Sequence, residues 1–348
     1  MKPSRWTHAL EAGALELPED GPIGVFNAPA PLDTARLPAD ALVCIQRFRP
    51  THDALAAAGL RTATAAEGLL EAAIVVVPRA REAARALVAE AMAATRPGGL
   101  VIVDGAKTDG IEALERELRG LVTLGGSMAK AHGRIFWFQN PAPMPEALIA
   151  WRDRERRAAD GSVTAAGIFS ADAPDRGSVL LAAALPEKLG RRVVDLGAGW
   201  GYLAREILAA RPRVEALDLV EADLDALDAA RRNVTDARAR FHWADATTFR
   251  PDQAPDAVVM NPPFHESRRA DPSLGKAFIA AAADMLAPSG SLWLVANRHL
   301  PYEATLSSRF QRVNEVLARD GFKILHATRP KAATSARGRP LKRRKRHA

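Results

Sequence analysis

The chain has 348 residues, of which 48% are hydrophobic and 26% are charged, a composition that supports buried cores and excludes wholesale disorder. At about 150 residues per domain, this length predicts two domains. The formal net charge is +7, yet residues 1–328 together carry −2, and residues 329–348 contain nine basic side chains without a carboxylate. The charge therefore excludes a generally basic protein and indicates one basic appendage that suits a polyanionic partner.

Cysteine usage and hydropathy exclude further classes of protein. Cys44 is the only cysteine, so a disulfide framework and a Cys-based zinc site are excluded, no metal is expected, and a reducing, cytoplasmic location is predicted. The N-terminal segment lacks the continuous apolar region of a signal peptide, and charges interrupt every apolar run. We therefore expect an unprocessed protein without a membrane segment.

The first half alternates short apolar runs with longer Ala-rich amphipathic stretches, which is typical of a parallel α/β sheet. A helix is predicted from Arg79 to Thr95, because the turn-forming pair Pro97-Gly98 follows it. The apolar runs predict strands at residues 41–45, 72–77, 99–105 and 134–139.

The second half repeats this alternation. Its apolar runs predict strands at residues 191–197, 214–221, 240–245, 256–261, 291–297 and 322–329. Between them, helices are predicted at residues 202–210, 224–234, 275–286 and 307–320.

A change of composition separates the halves. Residues 139–162 open with three prolines and then become highly charged, so we expect the domain boundary near residue 145. The predicted segments are therefore residues 1–145, residues 146–328, and a tail at residues 329–348. The small, polar and basic residues of that tail offer nothing to pack a core, and it is predicted to be disordered.

A glycine-rich loop follows the first strand of the second half. Asp195 precedes Gly197, Gly199 and Gly201, and a helical stretch begins at once. Strand, glycine loop and helix bring backbone close to a ligand at the carboxyl end of a strand. Tyr202 stands where the dinucleotide fingerprint has Gly or Ala, so a nicotinamide cofactor is not expected. The alternative is a turn that only joins a strand to a helix.

Acidic residues end the next two strands. Glu221 can accept hydrogen bonds from both hydroxyls of a ribose. An Asp-x-Gly-x-Gly-x-Gly loop followed by such an acidic strand end resembles the class I S-adenosylmethionine-dependent methyltransferases. That resemblance implies that Gly197 and Gly199 approach the amino acid part of the cofactor and that Asp195 holds the loop or the ammonium group. It also implies that Glu221 binds ribose and Asp245 contacts adenine.

The fourth strand runs into Asn261-Pro262-Pro263-Phe264-His265. Two prolines fix a rigid loop at the strand end, where a parallel sheet places its active site. An exocyclic base amine is a poor nucleophile, because its lone pair is delocalised into the ring. The Asn261 side-chain oxygen and the Pro262 carbonyl are suited to accept its two N–H bonds, and Phe264 is suited to stack on the base. The alternative is a proline-terminated strand with a buried Phe.

This loop resembles the N/D/S-P-P-F/Y/W motif of methyltransferases that act on amino groups conjugated to a planar system, and its full form resembles the rRNA guanine-N2 methyltransferases. Substrate contacts are then expected from Pro263, His265, Arg268 and Arg269, the arginines through RNA phosphates. For His265 a structural hydrogen bond, and for the arginines a plain exposed loop, remain alternatives.

Further segments narrow the resemblance to the small-subunit rRNA guanine-N2 methyltransferase group. Residues 165–185 are similar to its F-S-x-D-x-x-D-x-G-S-x-L-L stretch, and residues 289–306 to its G-G-x-L-x-I-V-A-N-x-x-L-P-Y run. The first of these implies cofactor-pocket residues at Phe169, Ser170, Asp175, Gly177 and Ser178. The first half is similar to the group's degenerate domain, and no glycine loop or N-P-P-F/Y motif occurs there.

The resemblance implies an α/β fold of two tandem class I methyltransferase-like, Rossmann-like domains. The first would be a degenerate, supporting domain and the second catalytic. The expected activity is methyl transfer from S-adenosylmethionine to guanine N2 of rRNA, with small-subunit 16S rRNA preferred, by a monomer that acts on naked RNA or on an assembling subunit.

The sequence is also compatible with other functions. They are methylation of large-subunit rRNA guanine, of adenine N6 or of a protein glutamine, and a catalytically dead RNA-binding assembly factor. The last is disfavoured because the second half keeps both motifs.

Overall fold

Two seven-stranded sheets, one in each half of the chain, organise the protein. The computed structural model describes residues 3–263 and 272–331. The strands of the first sheet are β1 (Ile23–Phe26), β2 (Leu42–Ile45), β3 (Thr62–Ala63), β4 (Leu70–Val76), β5 (Thr95–Ala106), β6 (Leu124–Lys130) and β7 (Gly133–Gln139). The helices of this half are α1 (Arg5–Glu11), α2 (Arg49–Ala57), α3 (Arg81–Ala94), α4 (Ile111–Arg119) and α5 (Glu146–Ala150), with 3-10 turns at Ala39–Ala41 and Lys107–Asp109.

The second half begins with a hairpin of β8 (Glu155–Arg157) and β9 (Val163–Ala165). The strands of the second sheet are β10 (Arg192–Leu196), β11 (Ala216–Glu221), β12 (Ala239–Trp243), β13 (Ala257–Met260), β14 (Ser291–Asn297), β15 (Phe310–Arg319) and β16 (Phe322–Pro330). The helices of this half are α6 (Arg176–Ala184), α7 (Tyr202–Ala210), α8 (Leu224–Asn233), α9 (Pro272–Met285) and α10 (Glu303–Arg309).

Both sheets have the same topology. The first follows the order β3-β2-β1-β4-β5-β7-β6 and the second β12-β11-β10-β13-β14-β16-β15. Five strands of each sheet are parallel, and the last two pair antiparallel. In an open parallel sheet, ligands bind at the carboxyl edge where the strand order reverses. In the second sheet this position lies between β10 and β13.

Buried side chains cover both faces of each sheet, because helices pack on both sides of parallel strands. In β10, Val194 and Leu196 contact the cluster around α9, whereas Val193 contacts the cluster around α7. This alternation leaves Asp195 fully buried on the same face as Val193. The predicted α/β fold of two tandem Rossmann-like units is confirmed by these two sheets.

The prediction of a helix at residues 307–320 is wrong. That segment forms the end of α10 and then β15, which pairs antiparallel with β16 through a bulge between Glu315 and Leu317. Most β15 side chains are exposed and Phe310 alone among them is buried, so the local pattern imitates a solvated amphipathic helix. The edge pairing with β16, a contact from outside the segment, decides its structure.

The sequence also missed β1 and β6. All four residues of β1 are buried, but so short an apolar run has no periodicity to distinguish it. In β6 none of the seven residues is buried and Gly125-Gly126 interrupts the pattern. Within the described residues, every helix falls short of the length and hydrophobicity needed to cross a membrane.

The chain passes between the halves over residues 146–165. Leu148 and Trp151, just beyond the boundary expected at residue 145, still pack against the first core. The β8–β9 hairpin then contacts the second half, where Asn233 of α8 bonds to the backbone of Val163.

The expected tail begins inside a strand. Residues 329 and 330 belong to β16, and Lys331 Nζ donates to the Ser307 carbonyl at 2.6 Å. The prediction of disorder is therefore wrong for these first residues, because they complete the edge pairing with β15. The remaining basic residues, from 332 onward, lie outside the described residues.

Candidate active site

Four adjacent parallel strands bring the predicted residues to one edge of the second sheet. Asp245 follows β12, Glu221 ends β11, and the glycine loop follows β10. Asn261 follows β13, on the other side of β10. The register pairs Leu196 with Val220 and places the four strand ends side by side. Residues separated by up to 66 positions in the sequence therefore meet where a Rossmann-like sheet binds its ligand.

The three positions of the loop require glycine for different structural reasons. All three have positive φ, at +81° for Gly197, +55° for Gly199 and +88° for Gly201, a conformation that favours glycine. A Cβ on Gly201 would lie 2.9 Å from Val234 Cγ2, so this glycine permits α7 and α8 to approach each other. A Cβ on Gly199 would meet no atom within 4 Å. Gly199 therefore leaves backbone open to a ligand rather than to a neighbouring helix.

Glu221 connects the second strand end to the glycine loop. Its Oε2 accepts a hydrogen bond from the Gly199 backbone N–H at 2.8 Å. Its Oε1 accepts from the backbone N–H groups of Ala222 at 2.8 Å and Asp223 at 2.9 Å. Burial raises the pKa of Glu221, and these three N–H donors oppose the rise. Since a carboxylate has about four acceptor positions, at least one remains for a further donor such as a hydroxyl.

Asp195 is the unsatisfied group of the site. It is fully buried, and neither carboxylate oxygen has a hydrogen-bond partner among the described residues. Burial and the neighbouring Glu221 carboxylate raise the pKa of Asp195 to about 7; the Ala204 backbone N–H, although outside hydrogen-bond geometry, acts in the opposite direction. A buried carboxylate without a partner is costly, so this position suits a cationic ligand group.

The Asn261 side chain has a defined orientation. Its Nδ2 donates to Asp175 Oδ2 at 2.8 Å and to Ser178 Oγ at 2.9 Å. Both acceptors belong to the start of α6, where Asp175 is the N-cap. Among the described residues no group donates to Asn261 Oδ1, so this oxygen is available as an acceptor. Pro262 is buried and Pro263 is exposed.

A small cavity of about 40 Å³ joins the glycine loop to Asn261. Seven predicted residues line it, namely Phe169, Ser170, Asp175, Ser178, Gly197, Gly199 and Asn261. Sequence reasoning missed four other lining residues, Ala198, Trp200, Tyr202 and Leu203. Their signal was position alone, since they lie within the glycine motif or in the first turn of the helix that follows it.

Two side chains at the cavity differ in exposure. Phe169 is 58% exposed, whereas Trp200 is buried and its Nε1 donates to the Ser170 carbonyl at 3.1 Å. The cavity therefore has a fixed indole wall and a solvent-facing phenyl ring.

Other predicted residues lie apart from this cavity. Asp245 does not line it; Asp245 Oδ1 accepts from the Thr247 backbone N–H at 2.8 Å and from Thr247 Oγ1 at 2.7 Å. The expected substrate contacts after Pro263 fall outside the described residues: Phe264, His265, Arg268 and Arg269. Within residues 3–263 and 272–331, no cluster of His, Cys, Asp or Glu is arranged to hold a metal ion.

The corresponding edge of the first sheet is built differently. Asn27 follows β1 with φ +54°, and its Nδ2 donates to the Val76 carbonyl at 2.9 Å instead of leaving an open glycine loop. The segment after β2 pairs with the second half, since Phe48 forms an antiparallel bridge with Asp223. A cavity of about 500 Å³ lies between the halves there. The first sheet thus supports the second at the edge where the second has its site.

Comparison with known proteins agrees with this geometry. A family model described as the methyltransferase small domain matches residues 162–326. Ribosomal RNA small subunit methyltransferase C of Shewanella pealeana is 30% identical over 260 residues, which cover 72% of this chain and 75% of the relative. The chain belongs to this methyltransferase family. The protein of the same name from Pseudomonas paraeruginosa is 31% identical over 271 residues, covering 76% of this chain and 80% of the relative.

A solved structure extends the similarity over both halves. The Thermus thermophilus 16S rRNA N2 G1207 methyltransferase, in complex with AdoMet and guanosine, superposes with a TM-score of 0.73 at 25% identity and covers 90% of each chain. The resemblance to the small-subunit methyltransferase group is therefore confirmed, and it includes the first domain.

Proposed function

We propose that this chain is an S-adenosylmethionine-dependent enzyme that methylates the exocyclic N2 amine of a guanine in 16S rRNA. Family membership and the substrate named for the Thermus relative support this reaction. The observation that carries the proposal is the Asn261 amide, whose Nδ2 is committed to Asp175 and Ser178 and which lines the same cavity as the glycine loop. Relatives named for the small subunit favour it over a large-subunit, adenine or glutamine substrate.

The residues of the sheet edge fit the cofactor. S-adenosylmethionine supplies a methyl group on a positively charged sulfur. Gly197 and Gly199 would admit its amino acid part against the backbone, and Asp195, buried without a partner, would pair with its ammonium group. Glu221 would accept from the ribose, and Asp245, with Oδ2 free of any described donor, from the adenine amine. Phe169, Ser178 and Gly201 would shape the remaining wall.

The Asn261 loop prepares the amine. Asn261 Oδ1 and the Pro262 carbonyl would accept its two N–H bonds, which favours the geometry in which the nitrogen lone pair leaves the ring system. Positioning and exclusion of water then supply most of the catalysis. The proton can leave after methyl transfer, so a strong base is not required. Phe264 would stack on the base, and Pro263, His265, Arg268 and Arg269 would contact the rest of the RNA.

The division of labour follows from the same arrangement. Residues 146–328 form the catalytic domain, residues 1–145 support it and help to hold RNA, and residues 329–348 add affinity for polyanion. We place the enzyme in the cytoplasm as a monomer, acting on rRNA that is naked or in an assembling small subunit.

The decisive experiment combines mapping with one substitution. Small-subunit RNA from a strain lacking this gene is incubated with the purified full chain and S-adenosylmethionine, and modified nucleotides are mapped by mass spectrometry. We expect one N2-methylguanine, absent with Asn261→Ala. That variant should still bind the cofactor in a calorimetric titration, because its change lies at the amine and not at the glycine loop.

Two outcomes contradict the proposal. Methylation of another base, or of a protein, would refute the substrate. Normal turnover by Asn261→Ala would refute the role of the amide even if the product is correct.

A further inference from the structure

The start of α6 holds the Asn261 amide from one side. We propose that Asp175 and Ser178 are positioning residues that orient this amide so that its oxygen, and not its NH2 group, faces the substrate. This inference rests on the proposed function, in which the Asn261 oxygen accepts from the target amine. Both residues line the cavity beside the glycine loop, as their place in the F-S-x-D-x-x-D-x-G-S stretch suggested, and their hydrogen bonds also reach the reactive loop.

The two ends of an amide group are similar in shape but opposite in hydrogen-bonding character. The oxygen and nitrogen ends of Asn261 are nearly equal in size, so packing does not choose between them. A carboxylate accepts hydrogen bonds and has none to donate. Asp175 Oδ2, 2.8 Å from Asn261 Nδ2, therefore selects one orientation, because the reversed amide would bring two oxygens together. Ser178 Oγ at 2.9 Å accepts from the same nitrogen and adds a second restraint.

The helix N-terminus fixes Asp175 in turn. Asp175 is the N-cap of α6, with extended backbone at φ −62° and ψ 134°. The same Oδ2 that accepts from Asn261 also accepts from the Ser178 backbone N–H at 2.8 Å. Capping and amide orientation are thus performed by a single oxygen atom. Charge-assisted bonds of this kind are the stronger ones.

Gly177 explains why the motif needs a glycine between the two acceptors. A Cβ at this position would lie 3.0 Å from Asp175 Oδ2 and 3.1 Å from the Phe322 ring. Because Gly177 has no Cβ, the first turn of α6 packs directly on the start of β16. The Asp175 carboxylate is then free to reach Asn261. The spacing Asp-x-Gly-Ser therefore encodes a support for the reactive amide.

The chemical consequence concerns turnover. A base amine presents two N–H donors, and an Asn261 turned the other way would present donors to donors. Such an enzyme would still bind cofactor and RNA through its other contacts but would fail to prepare the nitrogen. Loss of the support should therefore lower kcat far more than it changes KM.

Asp175→Ser tests this idea while keeping the helix cap. Serine is a good N-cap for the Ser178 N–H, but its shorter side chain does not reach Asn261. We expect a drop in kcat of about 100-fold with unchanged Tm and cofactor affinity. Asp175→Asn should restore most of the activity, because the cap holds its oxygen at the position that also faces Asn261. Ser178→Ala should lower kcat about tenfold.

A matched control and a structural readout make the outcome decisive. Asp236→Ser removes an aspartate at the opposite edge of the sheet, where Asp236 pairs with Arg238, and should leave kcat unchanged. The Asn261 side-chain NH2 signals, identified in the NMR spectrum by their loss in Asn261→Ala, should shift in Asp175→Ser and not in Asp236→Ser.

The readouts separate the two proposals. Unshifted NH2 signals in Asp175→Ser would overturn the positioning role whatever the substrate is. With active wild type, normal kcat in Asp175→Ser, or no rescue by Asp175→Asn, would overturn it as well. Shifted signals in a wild-type background that methylates no rRNA guanine would instead overturn the proposed function alone.

Discussion

At the residue scale, the site is defined by which polar groups already have hydrogen-bond partners within the protein and which do not. Asn261 and Glu221 use part of their hydrogen-bonding capacity within the protein and keep part for a ligand. Asp195 has no partner among the described residues. The sequence drew attention to all three, because Glu221 and Asn261 end predicted strands and Asp195 precedes the glycine loop. It did not predict the Asp175–Asn261 contact, which joins residues 86 positions apart and depends on how α6 packs on β16.

The raised pKa of Asp195 predicts a pH-dependent affinity. Because that pKa is about 7, the carboxylate is mostly ionised above pH 7 and becomes protonated as the pH falls. A protonated Asp195 no longer attracts an ammonium group, so cofactor affinity should fall about fivefold from pH 7 to pH 6. Calorimetric titration at both values measures this change.

Asp195→Asn is the control for that titration. The variant should bind more weakly at pH 7, and the remaining pH dependence should be small, since the amide does not titrate. An equally steep dependence in the variant would assign the titration to another group at this edge, such as Asp223, whose pKa burial also raises to about 7.

At the element scale, the repeated alternation of strand and helix could be predicted from the sequence, whereas the edge strand β15 could not. β14 and α7 match their predicted bounds to the residue, because parallel strands and their helices have continuous apolar faces. The prediction for β15 was wrong because an exposed edge strand is stabilised mainly by pairing with its neighbouring strand. The glycine loop between β10 and α7 could be predicted from the sequence. The different structural reason for each of its glycines could not, because it depends on how α8 packs against the loop.

Two substitutions in this loop should therefore have different main effects, one on stability and the other on cofactor binding. Gly201→Ala brings a Cβ within 2.9 Å of Val234 and should lower the free energy of unfolding by about 2–4 kcal/mol through strain and overpacking. Gly199→Val meets no protein atom at its Cβ, so stability should fall by only about 1–2 kcal/mol, while cofactor binding should be lost.

Urea unfolding and calorimetric titration distinguish these variants. Retained cofactor binding by Gly199→Val would refute the assignment of this loop to the cofactor. A Gly201→Ala protein as stable as the wild type would show that α8 yields to the added methyl group.

At the scale of the whole molecule, the first half holds the second beside its site. The Arg47 carbonyl accepts from the Leu224 backbone N–H at 3.0 Å, and the Arg49 backbone N–H donates to the Ala222 carbonyl at 2.8 Å. Trp243 Nε1 also donates to the Arg47 carbonyl, at 3.1 Å. The paired segment begins immediately after Glu221, so the first domain supports the loop that orders the Glu221 carboxylate.

Arg47→Ala tests the side-chain part of this support and leaves the backbone hydrogen bonds in place. The Arg47 guanidinium lies 2.6 Å from Asp225, in a pair that is about one-quarter exposed, so its loss should lower the free energy of unfolding by about 1 kcal/mol after allowance for solvent screening. Cofactor affinity should fall a few-fold, because the Ala222–Leu224 segment becomes looser. Arg36→Ala, which removes an exposed pair with Glu11, serves as the control and should change neither quantity. Unchanged affinity in Arg47→Ala would mean that the backbone hydrogen bonds suffice and that the Arg47 side chain does not help to order Glu221.

The distribution of charge leads to the last prediction. Residues 1–331 carry equal numbers of basic and acidic side chains, and residues 332–348 carry seven basic ones. Because Arg329 and Pro330 belong to β16, a deletion that spares the fold starts at residue 332. Each phosphate contact contributes about 0.7–0.9 to the slope of log affinity against log salt. Removing the segment should therefore weaken RNA binding and lower the slope by up to about 5 to 6, with cofactor affinity and Tm unchanged. A variant of full length with the seven basic residues replaced by Gln should behave like the deletion if charge is responsible. An unaltered slope in both variants would locate the affinity for RNA in the two domains alone.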